Sequence, residues 1–551
     1  MNNLKIISLG GFANVTKNMF VYETPRDILI VDCGVGFPNE EMLGVDLVIP
    51  DISYLLNKKE KIRGIILSHG HDDHIGGLPY ILPQLPQVPV FGPRWALALA
   101  SSKLEEFKVS ARLEEVNENQ KITLGDFSIG FIKVTHSIPD TFHLVIKTPL
   151  GTIYHAADFK LDLRPIMGEA TNQGRIAAAG KEGVLCLLSD CLRAELPGFT
   201  PAEAKLEEMF EKEIVTCPGK FLVTMISSNI SRLKQAIDVS IRHNRKIVLV
   251  GRSIEKNIEI AQKLGYLNYP ANFFLSRRQI KDPAVGALSF LVAGSQGQAG
   301  SALDRLVAGE IEEIKIGPGD KVIFSTDYIP GNETAIYSLI DNIYRLGGEV
   351  VYSNIHDNVH VSGHGSQGDL GKLMTMVNPR YFLPIGGDFR HMVAYQRLAV
   401  SRGFAKNKVL LADDGQIVEF FADGEAKISK KIATRQVLVD ALGVGDVGNV
   451  VLRDRQVLAE EGIVIAVLPI DQITHQLVGE AEIVTRGFVY IRENFKLLNQ
   501  TKDKIRQVIQ RTGAKKMDYR LVRRQVQEAL EGFFFTATGR RPMVLPVIIE
   551  V

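Results

Sequence analysis

Four side chains able to hold a metal ion fall within six residues at His69-Gly70-His71-Asp72-Asp73-His74: His69, His71, Asp73 and His74. Imidazole nitrogens and carboxylate oxygens together suit zinc or manganese, and ligands shared between two such cations suit a binuclear hydrolase. The glycines around them (Gly70, Gly76, Gly77) let the backbone turn sharply and come close to the ions. An incidental histidine-rich surface loop is the competing reading. Against it stand the density of ligands and their place directly after an apolar run, 64–67, that reads as a strand.

The elements that position this loop follow from the pattern of the chain. Over the first ~200 residues, short apolar runs alternate with glycine-bounded turns, at 28–32, 64–67, 127–135, 152–156 and 184–189. These read as strands, several ending on a polar residue where a site could form. From about 201 to 354 the rhythm becomes α/β: helices over 203–210, 230–243 and 254–264 between strands at 221–226 and 246–250, which predicts a mostly parallel sheet. A strand–helix–strand stretch follows from 350 to about 422. A charged segment near 423–435 reads as a linker, so 426–461 is expected to join two domains. The last part offers strands at 463–468, 482–490 and 543–551, with helices over 496–511 and 518–532.

A chain of 551 residues with 45% hydrophobic and 23% charged residues is expected to fold as two or three soluble globular domains. No apolar run reaches the length needed to span a bilayer, and the first residues read as a strand and a glycine turn without a signal-peptide pattern. Cys33, Cys186, Cys191 and Cys217 show no C-x-x-C spacing, which argues against a disulfide framework and a thiolate zinc site. The expected location is the cytoplasm. A net charge of +1 singles out no partner. Residues 502–541, with eleven Lys/Arg against four Asp/Glu, read either as solvated helix faces or as an RNA or partner surface. There is no P-loop and no dinucleotide fingerprint. The run Phe533-Phe534-Phe535 is expected in a core or interface rather than stacking on bases.

The His-x-His-x-Asp-His loop resembles that of the metallo-β-lactamase superfamily. The resemblance implies His136, in Val134-Thr135-His136-Ser137, as a further ligand, and Asp158, in Ala156-Ala157-Asp158-Phe159, as the carboxylate shared by two divalent cations. His143 and His155 are expected to pack or hydrogen-bond. Longer stretches resemble ribonuclease J, of the β-CASP branch. They are Gly44-Val45-Asp46-Leu47-Val48-Ile49-Pro50-Asp51, Ile329-Pro330-Gly331-Asn332-Glu333, His360-Val361-Ser362-Gly363-His364-Gly365, 449–458, Thr485-Arg486-Gly487-Phe488-Val489-Tyr490 and Arg541-Pro542-Met543-Val544-Leu545-Pro546. This implies an α/β fold: an αββα catalytic sandwich over 1–204 and 356–425, an inserted β-CASP α/β domain over 205–355, and a small α+β C-terminal oligomerisation domain over 462–551.

The family's roles carry over by motif. Asp190, ending Leu187-Leu188-Ser189-Asp190, matches the acidic motif, and His364 the histidine motif. The loop His360, Val361, Ser362, Gly363, His364 resembles the one that binds the phosphate. Ser295, in Gly294-Ser295-Gln296-Gly297, and Ser228, opening Ser228-Asn229-Ile230-Ser231-Arg232, are implied substrate contacts. Asp73 would orient the attacking water as well as ligate. His364 would donate to the phosphate or to the leaving 3′-oxygen. A structural divalent ion such as calcium at Gly44, Asp46 and Asp446 is also implied, with ordinary turn-capping as the alternative. The resemblance implies an RNA substrate, 5′-to-3′ exonuclease action favouring a 5′-monophosphate end, endonuclease action as a further mode, and a homodimer or tetramer, or a hetero-oligomer with a paralogue.

The chain departs from the family at four places. Pro384-Ile385-Gly386-Gly387-Asp388 has Gly386 where a histidine ordinarily completes the second metal site, with Asp388 and His391 as local substitutes. Ser231 replaces a histidine, Cys191-Leu192-Arg193 replaces small polar residues, and 10–16 departs from a Gly-Glu-Ile-Gly run. Two functions therefore compete: a working, attenuated ribonuclease, and a weakly active subunit that scaffolds an active partner. A small-molecule metallohydrolase would match only the first part of the chain.

Overall fold

The computed structural model describes residues 3–39, 41–280, 287–329, 331–356, 358–441, 443–489, 495–512 and 518–551. Pro330 and Tyr490, in the motifs above, lie outside them. The chain forms two compact units, 1–37 with 47–437 and 38–46 with 438–551.

Two sheets face each other in the first unit. One runs in the order Ala426–Lys431, Gln416–Phe421, Asn3–Gly10, Met19–Glu23, Ile28–Val31, Ile62–Ile66, Val90–Gly92, Leu113–Glu115. The other runs Tyr381–Ile385, Cys186–Asp190, Gly151–Ala156, Thr141–Thr148, Phe127–Val134, Lys121–Leu124. Strand periodicity of two divides each strand between layers. Leu4, Ile6, Phe20, Tyr22, Leu29 and Val31 meet Phe127, Ile129, Leu144, Ile153 and Leu188 between the sheets. Ile7, Leu9, Met19, Val21, Ile28 and Ile30 face outward, into a cluster with Leu55, Ile75, Leu78 and Ile81 that continues to the helix Arg94–Glu106. Beyond the second sheet, Tyr154, Leu187 and Phe382 pack under Gln173–Lys181, Gln367–Val377 and Phe389–Ser401. Because both faces of these strands are covered, they read as continuous apolar runs. This is the expected αββα sandwich.

A third sheet, all parallel, follows the order Phe274–Leu275, Lys246–Val250, Leu288–Val292, Phe221–Thr224, Lys321–Phe324, Glu349–Val351. Lys205–Val215, Ile230–Arg242 and Arg252–Lys263 cover one face, and Ala302–Val307 and Glu333–Arg345 the other. This is the α/β insertion. The stretch 426–461 is not the expected linker. Ala426–Lys431 pairs antiparallel with Gln416–Phe421, and Ala426 and Ile428 pack on the sandwich core. Lys427 between those two residues, and Lys430 and Lys431 after them, are exposed and mask the alternation in sequence. Farther along, Asn449–Glu460 is helical.

In the second unit, Ile463–Ile470 pairs antiparallel with Glu482–Arg486 and parallel with Met543–Glu550. The helices Phe495–Thr512 and Tyr519–Thr538 cover this sheet with Ile505, Ile509, Val522, Val526 and Leu530. The phenylalanine run divides: Phe534 is buried in that core, and Phe535 is exposed beneath the Arg541 guanidinium. Several of the basic residues of 502–541 form surface pairs, Lys502 with Glu480, Arg506 with Asp503 and Arg524 with Glu528.

Candidate metal centre

Four of the candidate side chains leave the ends of strands. His69 follows Ile62–Ile66, His136 follows Phe127–Val134, Asp158 follows Gly151–Ala156, and Asp190 closes Cys186–Asp190. Gly151–Ala156, Cys186–Asp190 and Tyr381–Ile385 are neighbouring parallel strands, with Ala156 opposite Ser189 and Asp190 opposite Ile385. That register sets Asp158, Asp190 and Gly386 side by side. A bridge between Thr135 and Lys160 brings His136 across to Asp158.

Ligand atoms of His69, His71, His136 and Asp158 lie within 4.8 Å of one another, as do those of Asp73, His74 and Asp158. Asp158 thus belongs to both groups. His69 Nε2 and His136 Nε2 each lie 3.1 Å from His71 Nδ1. They lie 3.7 and 3.8 Å from Asp158 Oδ2. Ligand distances of about 2.0–2.1 Å separate the corners of a tetrahedral zinc by about 3.3 Å, so the spacing fits one cation.

The other ring nitrogens fix the tautomers. Ser68 Oγ donates to Asp32 Oδ2 at 2.8 Å and so accepts from His69 Nδ1–H at 3.0 Å. His136 Nδ1–H donates to the Gly363 carbonyl at 2.8 Å, and His71 Nε2–H to Ser137 Oγ at 3.2 Å. Each ring is therefore left with a lone pair aimed at one point, the usual device for orienting metal-bound histidines. Burial holds His69 and His136 well below the ordinary imidazole pKa and His71 at about 4. Three uncharged lone pairs converging beside a carboxylate repel one another unless a cation sits among them.

On the far side of Asp158, His74 Nε2 lies 3.5 Å from Asp158 Oδ2 and 3.6 Å from Asp73 Oδ2. Burial works against a charged His74, yet Asp158, Asp73 and Asp32 together raise its pKa well above the ordinary value. Burial raises Asp73 to about 6. Asp158 stays well below the ordinary carboxylate value because the surrounding histidines outweigh its burial. Gly386 stands opposite. A Cβ built there would lie 3.7 Å from Asp158 Oδ1 and 3.9 Å from Asp190 Oδ1, so a side chain at 386 would enter this second site. Its φ of +64° is left-handed. Asp388 and His391 do not fill the gap. They cap the helix Phe389–Ser401 in a capping box, and His391 Nδ1 accepts the Asp388 N–H at 3.0 Å.

A third group joins Asp158, Asp190 and His364. His364 Nδ1–H donates to Asp190 Oδ2 at 2.8 Å, and its Nε2 lies 3.9 Å from Asp158 Oδ2. Against burial, Asp190 and Asp158 raise His364 to about 9. Ser362 Oγ accepts the His364 N–H at 3.1 Å. At Gly363 a Cβ would come 2.7 Å from the His136 ring, so only glycine lets this loop reach the ligand.

The remaining expected residues divide. Buried Ser295 and half-buried Ser228 belong to loops of the inserted sheet, and among the described residues neither side chain hydrogen-bonds a ligand residue. Asp46 accepts the Ala441 N–H at 2.8 Å, as a capping aspartate does, and Asp446 packs against Gly443. Beside Gly44, Arg455 donates to the Leu43 carbonyl at 2.9 Å and pairs with Asp440. His143 and His155 are fully buried against Tyr154 and Tyr22, as expected.

Three contributors escaped the sequence reading. Asp32, wholly buried, accepts from His74 Nδ1 at 2.7 Å and from the Ser68 N–H at 2.7 Å. Asn18 donates to Asp73 Oδ2 at 3.3 Å. Arg232, 1% exposed, donates to the Val361 carbonyl and the Ser325 carbonyl at 2.7 Å and to His360 Nδ1 at 2.9 Å, with Glu203 as its counter-charge. A polar residue ending the run 28–32 was the available signal for Asp32. For the other two, only the folded chain brings the partners together.

Comparison with known proteins agrees with this architecture. Family models match in chain order: Metallo-beta-lactamase superfamily at 14–185, Ribonuclease J, beta-CASP domain at 218–343, Zn-dependent metallo-hydrolase RNA specificity domain at 348–411, and Ribonuclease J C-terminal domain at 450–551. Ribonuclease J2 of Bacillus subtilis (strain 168) is 36% identical over 100% of this chain and 99% of its own length. Ribonuclease J of Thermus thermophilus is 37% identical over 100% of this chain and 96% of its own. A solved protein of unknown function from Enterococcus faecalis V583 shares the fold, with a TM-score of 0.51 at 16% identity over 76% of this chain and 100% of that one. With relatives matched from end to end at 36–37% identity, the chain belongs to the ribonuclease J family.

Proposed function

We propose that this chain is a metal-dependent ribonuclease that degrades RNA 5′-to-3′ from a monophosphorylated end, with internal cleavage as a second mode. The observation that carries the reading is the convergence of three tautomer-fixed imidazoles on Asp158, which a second carboxylate–imidazole pair shares. Two divalent cations, zinc or manganese, would be held by His69, His71, His136 and Asp158 and by Asp73, His74 and Asp158; such a pair supplies a nucleophile at neutral pH and balances charge on the phosphate. Asp73, held by Asn18, orients the attacking water. His364 keeps a proton on Nε2 through its pairing with Asp190 and donates it to the phosphate or the leaving 3′-oxygen. Arg232 braces the backbone of the His360–His364 loop, which would receive the phosphate.

Gly386 favours a second reading, in which the chain is a weakly active subunit that scaffolds an active paralogue. A metal count on the purified protein, paired with decay of a 5′-monophosphorylated RNA, decides between them. Two ions and progressive 5′-to-3′ shortening support the enzyme. Fewer than two ions and no cleavage in excess manganese, with stable binding to an active relative, overturn it in favour of the subunit. The same preparation, sized in solution, tests the expected homodimer or tetramer.

A further inference from the structure

One cation beside the centre has no role in this scheme. Arg193 lies three residues after Asp190, and its backbone bridges to Ser366, two residues beyond His364. The loop is pinned: the Ala194 N–H donates to the Cys191 carbonyl at 3.0 Å, and Gln367 Nε2 donates to the Ala194 carbonyl at 2.9 Å. The half-buried Arg193 side chain makes one long hydrogen bond, Nε to Ser366 Oγ at 3.4 Å. Among the described residues no carboxylate lies within ion-pair distance of it.

Two of the three acids around it are committed elsewhere. Asp369 accepts the N–H groups of Leu161, Thr200 and Ser366 at 3.1, 2.9 and 3.0 Å. Asp190 is taken by His364 and the Leu192 N–H. Asp327 is the nearest uncommitted acid: it acts on Arg193 through space without reaching ion-pair distance, and its carboxylate lies 3.6 Å from His360 Nε2. Burial draws the Arg193 pKa below its ordinary value, outweighing the nearby carboxylates of Asp327, Asp190 and Asp369. A guanidinium cannot shed its proton to relieve this, and its planar fork matches phosphate oxygens. The sequence puts this arginine where small polar residues are usual in the family, beside the half of the centre that Gly386 leaves a ligand short.

We infer that Arg193 is a phosphate-binding residue of this chain, its guanidinium receiving the non-bridging oxygens of an RNA phosphate brought to the His360–His364 loop. The inference rests on the reading of the centre as an RNA nuclease. It is tested on the full-length, metal-loaded protein with a short nuclease-resistant RNA carrying either a 5′-monophosphate or a 5′-hydroxyl, titrated across salt concentrations. Arg193→Gln is expected to bind about tenfold more weakly, with a salt slope smaller by about one. Its melting temperature and metal content should be unchanged. A loss confined to the 5′-monophosphate RNA assigns the terminal phosphate, and a loss on both RNAs an internal phosphodiester. Binding equal to the unmodified protein overturns the assignment. Should Arg193→Gln unfold early, Arg193→Lys carries the test: about threefold weaker binding at an unchanged slope supports a lost fork, and unaltered binding refutes it. If the unmodified protein binds but never cleaves unprotected RNA, the nuclease reading fails and the binding result stands.

Discussion

On one side of Asp158, three imidazoles meet, each locked by a donor bond from its other nitrogen to an oxygen of a different loop. On the other side, Asp73 and His74 meet the same carboxylate, and the facing strand ends in Gly386. The first half draws on two strand ends and on the loop that carries Gly363. The second depends on one turn, Asp72–Ile75, braced by Asp32 and Asn18. A ligand set with more independent supports tolerates loss better, so the two halves should differ in affinity although they share an acid.

The sharpest way to break that comparison is to remove what the halves have in common. Asp158→Ala should empty both sites and cut cleavage by about 10³-fold or more, since nucleophile and charge balance go together. Metal analysis and RNA decay read this directly. Retention of one full equivalent of metal would show that the three histidines suffice and that the carboxylate is not shared. A smaller, one-sided effect is expected at Asp32. Asp32→Asn leaves the His74 Nδ1–H facing a neutral amide, and an outer-shell change of this kind costs about 10–100-fold in metal affinity. Only the second equivalent should weaken; equal weakening of both would mean that the halves are not separable.

Much of this was legible before folding. The ligand loop announced itself by residue type and spacing. The sandwich strands showed as apolar runs because both faces of each sheet are covered, and the inserted parallel sheet showed as alternation of helix and strand. Where the reading failed, the cause was local. Ala426 and Ile428 face the core, but Lys427 between them and Lys430 and Lys431 beyond look like a linker. Asp388 and His391 looked like free ligands because a capping box has the same composition as half a metal site. Asp32, Asn18 and Arg232 act across separations of 42, 55 and 129 residues, which only the tertiary structure supplies.

The smallest expected effect bears most closely on the asymmetry. Gly386→His would add an imidazole to the second half, at a position where φ is +64°. A residue with a Cβ costs about 1–2 kcal/mol in that left-handed region, so the metal-free variant should unfold at lower denaturant than the unmodified protein. The imidazole would start from a Cβ 3.7 Å from Asp158 Oδ1, within reach of a cation held by Asp73, His74 and Asp158. Binding to the folded state alone returns stability in proportion to affinity. The deficit seen without metal should therefore shrink as manganese is added, second-site occupancy should rise, and cleavage should rise with it. Strain without a gain in occupancy would mean that the backbone turn, rather than the missing ring, limits the site. The two halves would then differ by the shape of the chain at Gly386 and not by the count of ligands.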